Sequence, residues 1–295
     1  MPTIEELKRK IDRTRDLQSV VKTMKALAAV NIRQFEKAVE ALQDYYAAVE
    51  RGLQAALRNR PEFSVSARAA PEGSVGAIVF GSDQGMCGQL NEEIVAHTLG
   101  FLERQQVGAE NRRLIAVGIR VQTRLEDRRQ AVDGYFPVPG AVEGIAALVQ
   151  KLVLEIENWR TGGLDSIFLF YGRPLSGSRY RPHHVHLLPI AREWLEEIRF
   201  RPWPTRQLPL FRAQWDVLFS ALVRQYLFVS LYRAAAHSLA SENASRLASM
   251  QGAERNIEEK IAELNQEYHR QRQMTITEEL LDIVSGFEAL SNPQK

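Results

Sequence analysis

Residues 247–268, LASMQGAERNIEEKIAELNQEY, decide the architecture of this chain. Leu247, Met250, Ala253, Ile257, Ile261, Leu264 and Tyr268 recur three or four residues apart, the narrow apolar seam of a helix that pairs with one long partner rather than the broad stripe of a core-facing helix. Outward from this stretch, no proline interrupts Leu210 to Leu290, and glycine occurs only at Gly252 and Gly286. One helix over that run, at about 1.5 Å per residue, is roughly 120 Å long. Pro209 suits its first turn, where a missing N–H costs nothing, and Pro293 marks its far end. Such a helix needs a partner of comparable length.

The partner lies at the other end of the chain. From Thr3 to about Arg60 there is again no proline. Ile4, Leu7, Ile11, Leu17, Val21, Met24, Ala28, Ile32, Phe35, Val39, Leu42, Tyr46, Val49, Leu53 and Leu57 keep the same spacing, with one slip after Ile11. Thr3 and Glu6 have the spacing of a capping box, and Pro61 ends the segment. The expected organisation is an N-terminal shaft helix over 1–60, an α/β domain with its linkers over 61–208, and a C-terminal shaft helix over 209–295. The two long helices form an antiparallel coiled coil flanking an inserted Rossmann-like α/β domain, so the fold class is α+β or α/β.

The helices differ in length. At about 1.5 Å per residue the first covers roughly 85 Å, which places Thr3 near residue 265 of the second and leaves about 25 residues projecting. That tip carries Tyr268, Met274, Ile276, Leu280, Leu281, Ile283, Val284, Phe287 and Leu290. A lone helix with so much apolar surface is unstable in water, so either another protein sleeves it or the tip folds back or frays.

Composition narrows the function classes. A net charge of +2 is too small for a nucleic-acid binder, which concentrates basic residues on one face. Cys87 is the single cysteine, so no intramolecular disulfide forms, which fits a reducing compartment. The N-terminus is charged and heptad-patterned, unlike a signal peptide. The most apolar window, Val217 to Tyr232, is broken by Arg224 and Gln225 and is too short to span a bilayer, so membrane association must come through a partner.

Between the helices, Val75–Phe80, Leu114–Ile119 and Ile167–Tyr171 read as buried strands. Leu90–Glu103, Val142–Trp159 and a short stretch around Val121–Arg128 read as helices. Strand-helix alternation predicts a partly parallel sheet. Tyr180–Ile190 adds a further strand, and Arg199–Leu208 and residues 61–74 are the linkers.

Three features here resemble chemistry. Gly81-Ser82-Asp83-Gln84-Gly85-Met86-Cys87-Gly88 joins a strand to a helix, where a nucleotide loop would sit, but it lacks the lysine of a P-loop and the dinucleotide glycine spacing, which favours a structural turn. Cys87 has no nearby histidine in sequence and reads as a small buried residue. His184 and His186 share one strand face, and two ligands without a third favour a solvated or hydrogen-bonded pair over a metal site. No acid/base pair, triad, metal signature or cofactor motif is found, and the chain reads as a mechanical or binding component.

Four segments resemble the gamma subunit of rotary ATP synthases: Val20-Val21-Lys22-Thr23-Met24-Lys25-Ala26-Leu27-Ala28-Ala29; Ser82 through Asn91; Ala240-Ser241-Glu242-Asn243-Ala244-Ser245-Arg246-Leu247; and Thr275-Ile276-Thr277-Glu278-Glu279-Leu280 with Ile283-Val284-Ser285-Gly286. The resemblance spans the chain, with the motifs in the family's order. It implies a non-catalytic central-stalk rotor, turning inside a hexamer of alternating alpha and beta subunits with the C-terminal tip deepest, and coupling ion flow to ATP synthesis or hydrolysis. The α/β domain would bind the epsilon subunit and the ring of c subunits. The complex would lie on the cytoplasmic face of a prokaryotic inner membrane. Carried over by position, Lys22, Met24 and Lys25 would face a beta subunit near its moving region. Arg272 and Gln273 would hydrogen-bond a beta loop, and Arg246, Thr277 and Glu279 would lie among the shaft contacts. Met24 equally fits the seam, and the charged residues equally fit a solvated surface.

The chain departs from the usual pattern at Val30-Asn31-Ile32-Arg33, where Ser-Lys-Leu-Arg is common, and at Gln84 and Gln89, where Arg and Gly are common. These changes resemble the alternative N-type ATPases proposed to pump sodium. Readings from other classes are a static coiled-coil adaptor and a phosphoester enzyme with coiled-coil arms that uses the Gly81–Gly88 loop.

Overall fold

The computed structural model describes residues 3–60, 73–164, 166–175, 179–205, 207 and 209–291, with side chains as far as Phe287. Pro61, Leu208, Pro293, most of the 61–74 linker and the Leu290 side chain lie outside the described residues. Two compact units divide the chain, Met1–Leu27 with Ala248–Lys295, and Ala28–Leu247.

The capping box forms as the sequence predicts. The Thr3 amide donates to Glu6 Oε2 at 3.0 Å and the Glu6 amide to Thr3 Oγ1 at 3.2 Å, which satisfies two of the donors that a helix start leaves free. Helix α1 (Ile4–Ala41) follows, and α2 (Gln43–Asn59) continues after a single irregular residue. The expected unbroken helix to Arg60 is thus two helices. At the junction the Leu42 amide donates to Val39 O at 3.2 Å, three residues back instead of four. Neither glycine nor proline marks this site.

The α1–α2 seam also differs from its reading. Leu17 is 53% exposed, while Thr14 and Gln18 are half-buried. With these two polar residues included, Ile4, Leu7, Ile11, Thr14, Gln18, Val21, Lys25, Ala28, Ile32, Phe35, Val39, Leu42, Tyr46, Val49 and Leu53 form an unbroken three-four repeat, every member buried or half-buried. There is no slip after Ile11. An apolar-only template jumps to the wrong residue where the seam turns polar.

In the Ala28–Leu247 unit the order is β1 (Val75–Phe80), α3 (Leu90–Arg104), a 3-10 turn, β2 (Arg112–Val117), α4 (Ile119–Asp127), β3 (Gly134–Phe136), α5 (Glu143–Thr161), β4 (Ser166–Pro174), β5 (Tyr180–Leu188), α6 (Arg192–Phe200) and then α7 (Trp215–Ser291), which runs on into the other unit. The strands form one sheet in the order β3-β2-β1-β4-β5, parallel except for β5, which runs antiparallel to β4. Long terminal helices therefore flank a mixed α/β sheet, as the sequence predicts. Neither β3, three residues long, nor α6, whose Leu195 and Ile198 are buried one turn apart, is among the elements expected from the sequence. Helix α7 begins at Trp215 rather than at Leu210, which is 94% exposed, and Asp216 in its first turn complements the helix dipole.

Side-chain alternation along the central strands divides the core into two layers. Ile78 and Phe80 of β1, with Ile115, Val117, Ile167 and Leu169, pack against Ile145, Val149, Leu152 and Ile156 of α5 and Leu231, Ala235 and Leu239 of α7. Val75, Ala77 and Val79 face the other way, onto Leu90, Ile94, Val95 and Leu102 of α3 and Val121 and Leu125 of α4. With both faces covered, β1 reads as a continuous apolar run. Gly76 lies where a Cβ would come within 2.6 Å of the Trp159 ring, so only glycine lets α5 approach this closely.

Candidate partner-docking surface

In the unit formed by the chain ends, α1 and α7 pair antiparallel. Leu7 and Ile11 pack with Leu264 and Tyr268, whereas Val21 and Met24 pack with Met250, Ala253, Ile257 and Ile261. Among the described residues two polar contacts cross the seam of this unit: Lys25 pairs with the Glu254 carboxylate, and Gln18 Nε2 donates to Glu258 Oε1 at 3.4 Å. Both join a residue near the middle of α1 to one on α7, and sliding either helix by one turn breaks both.

Among the described residues two apolar surfaces of this unit have no cover. Leu17, Val20, Met24 and Leu27 recur at three, four and three residues, forming a second stripe beside the seam. Met24 is half-buried at its edge, and the other three are more than half exposed. Beyond Tyr268, α7 continues without α1, and Met274, Ile276, Leu280, Leu281, Ile283, Val284 and Phe287 are all exposed, Ile283 at 69% and Phe287 at 71%. The hydroxyls of this tip are satisfied within the helix: Thr275 Oγ1 donates to Gln271 O at 3.2 Å, Thr277 Oγ1 to Gln273 O at 2.9 Å and Ser285 Oγ to Leu281 O at 2.7 Å. What the tip offers to a partner is therefore mainly apolar area. Sheathing these seven side chains is worth about 5–10 kcal/mol at about 1.5–3 kcal/mol for each fully buried large residue, scaled down for their partial exposure.

The residues expected at the partner surface fall into three groups. Lys22, Arg272, Gln273, Thr277 and Glu279 are exposed. Met24 and Lys25 are half-buried in the helix pair, Lys25 with its Glu254 partner. Arg246 belongs to the other unit and is 7% exposed; its Nη2 lies 2.7 Å from Glu242 Oε1 and 3.4 Å from the carbonyls of Gln84 and Gly85. Sequence reasoning passed over Val20 and Leu27 as surface residues. Their signal was present as an apolar residue three or four places from each outward-facing neighbour, an excess over what one seam uses.

The features that resemble chemistry are structural in their contacts. In the Gly81–Gly88 loop, the Ser82 amide donates to Asn91 Oδ1 at 3.0 Å and Asn91 Nδ2 to Ser82 Oγ at 2.8 Å. The Asp83 carboxylate accepts from the amides of Ile119 at 2.8 Å and Val138 at 2.7 Å. Cys87 is buried, its Sγ 3.3 Å from Ser82 Oγ and 3.4 Å from Asn91 Nδ2. His184 Nδ1 lies 3.0 Å from His97 Nε2, and His186 stacks on Phe168. Among the described residues no three His, Cys, Asp or Glu side chains are placed to hold a metal ion, and no helix is long and apolar enough to cross a membrane.

An α/β unit carried between terminal helices, which pair antiparallel and end in an uncovered apolar tip, defines a stalk-type protein that acts by docking. The family model described as ATP synthase matches residues 3–290, and the chain belongs to that family as a gamma subunit. Curated relatives named ATP synthase gamma chain include those of Syntrophobacter fumaroxidans, 28% identical over 98% of this chain and 99% of the relative, and Anaeromyxobacter sp. strain K, 29% identical over 98% and 100%. Two solved structures share the fold. One is from the central stalk and c-ring of the Tetrahymena thermophila mitochondrial ATP synthase, with a TM-score of 0.58 and 22% identity over 79% of this chain and 99% of that one. The other is from the OSCP, F1 and c-ring assembly of the Euglena gracilis enzyme, with a TM-score of 0.64 and 15% identity over 97% and 94%.

Proposed function

We propose that the chain turns as the shaft of the complex, with its α7 tip inside a ring of alternating alpha and beta subunits and its α/β unit toward the epsilon subunit and the c-ring. The observation that carries this reading is the α7 tip beyond Tyr268, a helix with seven exposed large apolar side chains whose hydroxyls are already hydrogen-bonded within it. Such a tip is stable when sheathed on several sides, as a ring provides and a flat partner does not.

Coupling requires the shaft to touch the beta subunits unequally. A shaft that bound every beta conformation with the same affinity would shift no equilibrium. The stripe of Leu17, Val20, Met24 and Leu27 lies on one side of α1, and Lys22, Arg272, Gln273, Thr277 and Glu279 are exposed polar groups, so different azimuths of the helix pair offer different contacts. Catalysis then rests with the beta subunits, and this chain transmits torque without an active site of its own. Its place is the cytoplasmic face of a prokaryotic inner membrane, reached through its partners. The departures at Val30–Arg33, Gln84 and Gln89 favour the N-type group of such enzymes.

The test is co-expression with alpha and beta subunits, followed by size-exclusion chromatography and an ATPase assay, comparing the full chain with one ending after Tyr268 and with Arg272→Ala/Gln273→Ala. Co-elution with turnover that falls in both variants is the expected result. A chain that elutes alone, or turnover indifferent to both changes, overturns the proposal and favours a static adaptor.

A further inference from the structure

Positive charge gathers at the β4–β5 edge of the sheet, within the Ala28–Leu247 unit. The two strands pair antiparallel, with Tyr171 opposite His183 and Arg173 opposite Arg181. Ile167, Leu169 and Tyr171 of β4 pack with α7, so the alternation of side chains carries Arg173, Arg181 and His183 onto that same face. Helix α7 adds His237, whose ring stacks on Tyr171 at 6.2 Å between centroids, and Arg233 one turn earlier. His183 meets the Tyr171 ring edge-on at 5.4 Å. Three arginines and two histidines are thus grouped about one buried tyrosine ring.

These charges are fixed and lack counterions. A guanidinium stays protonated in a protein. Among the described residues none of Arg173, Arg181 and Arg233 has a carboxylate partner, and Arg233 lies over the ring of Tyr46, its Cζ 5.2 Å from the centroid. The Glu50 carboxylate beside Tyr46 is taken by Arg201 at 3.0 Å. Other arginines of the unit are paired, Arg113 with Asp133, Arg128 with Glu92 and Arg224 with Glu157. Like charges directly opposite each other on two strands destabilise a sheet, so the Arg173–Arg181 pair does nothing for the fold. Both side chains are exposed, and a ligand reaches them from solvent. Burial and then the charge of Arg173 lower the His183 pKa, and burial, then Arg233 and Arg173, lower that of His237, so both rings are neutral at pH 7 and offer hydrogen bonds without adding repulsion.

A metal ion would be repelled by three guanidiniums. A protein partner would need about 800 Å² on this side with an apolar centre, whereas the cationic groups here lie within two residue pairs of the hairpin and one turn of α7. A compact anion fits that size, and the planar forks of arginine match phosphate oxygens two at a time. We propose that this face is a binding site for a phosphate-bearing small molecule, with Arg173 and Arg181 as its principal contacts and Arg233 and His237 completing the site from α7. Inorganic diphosphate and a nucleoside diphosphate share that chemistry.

The test is isothermal titration of the full chain with sodium pyrophosphate and, separately, with ADP, both in EDTA at constant ionic strength. Saturable binding of pyrophosphate marks the phosphates as sufficient, and binding of ADP alone marks a nucleoside source; either outcome upholds the site. Arg173→Gln/Arg181→Gln should lose at least about tenfold in affinity, the step a lost charged hydrogen bond corresponds to. Arg113→Gln/Arg224→Gln removes the same net charge elsewhere on the unit and should lose far less. Because Arg173 and Arg181 are exposed and oppose each other, their double variant should fold, as circular dichroism would verify, and melt no lower than wild type. No saturable binding of either anion, equal losses in the two double variants, or a lower melting temperature in Arg173→Gln/Arg181→Gln, as arginines with a structural role would give, overturns the proposal.

Discussion

Ser245 Oγ donates a 2.6 Å hydrogen bond to the carbonyl oxygen of Cys87, 158 residues away along the chain. Both groups are buried, and the contact ties the end of the Gly81–Gly88 loop to α7. Ser245→Ala removes the donor and leaves the Cys87 carbonyl only the longer bond from the Leu90 amide at 3.3 Å, at an expected cost of about 1 kcal/mol. Ser285→Ala serves as the control, because that hydroxyl is exposed and bonds only within its own helix. Urea denaturation of both variants checks the difference; equal effects would contradict it.

The seam assignment separates two adjacent residues. Leu17→Gln should change stability by less than about 0.5 kcal/mol, as for an exposed site away from special features. Gln18→Leu should stabilise the helix pair by about 0.5–1.5 kcal/mol, placing an apolar side chain at a half-buried seam position. Thermal melts followed by circular dichroism at 222 nm, on the order of a few degrees per kcal/mol, check the ordering. A destabilising Leu17→Gln would return Leu17 to the seam.

Lys25 and Glu254 are the charged pair of that seam, with Glu254 the more buried partner. A double-mutant cycle with alanine at both positions should give a coupling of about 0.5–1 kcal/mol at low ionic strength. In about 1 M salt the coupling should shrink, because the Lys25 side chain is partly exposed. A coupling near zero would leave register to the apolar side chains alone.

Gly118 has φ of +115°, and a Cβ there would lie 2.8 Å from the Ser82 backbone. Gly118→Ala should therefore destabilise the α/β unit by more than about 2 kcal/mol, from backbone strain and a clash with atoms that cannot swing away. Gly163→Ala is the comparison, with φ of +84° but nothing within 4 Å, and should cost only the conformational part, about 1 kcal/mol. Chemical denaturation of the two variants tests the separation.

Five of the six histidines, His97, His183, His184, His186 and His237, gather around the edge strand β5, and burial holds each below its ordinary value. For His237, burial and then the positive charges of Arg233 and Arg173 lower the pKa to about 4. A folded state with the lower pKa binds fewer protons than the unfolded chain, so stability is fully present above pH of about 6.5 and falls as the pH drops below it. Glu242 opposes the trend, because its raised carboxyl takes up a proton in the folded state first. Comparing wild type with His237→Phe isolates the histidine. Between pH 7.5 and 5, wild type should lose about 2 kcal/mol more than the variant, read by urea denaturation at each pH. Parallel losses would contradict the assignment.

The helical parts of the fold were legible because their signals are local. Thr3 and Glu6 are three residues apart, and the periodicity of Leu247 to Tyr268 needs no knowledge of the partner helix. The overhang was legible too, as a difference between two run lengths. The same locality explains the errors. Thr14 and Gln18 were passed over because a hydropathy template skips polar seam residues, and the break at Leu42 carries no glycine or proline. Strand β3 is too short to show alternation, and it persists because β2 supplies its hydrogen bonds.

The sequence alone determined the long helices, the central α/β pattern, the apolar tip and, through its ordered motifs, the family, because each is written in the spacing of neighbouring residues. Only the tertiary structure decided that Arg246 lies inside the α/β unit against Glu242 and the Gly81–Gly88 loop, and that Leu17 faces outward. Whether a charge is solvated or buried, and which distant groups it meets, depends on packing between segments more than a hundred residues apart, and no local spacing encodes that.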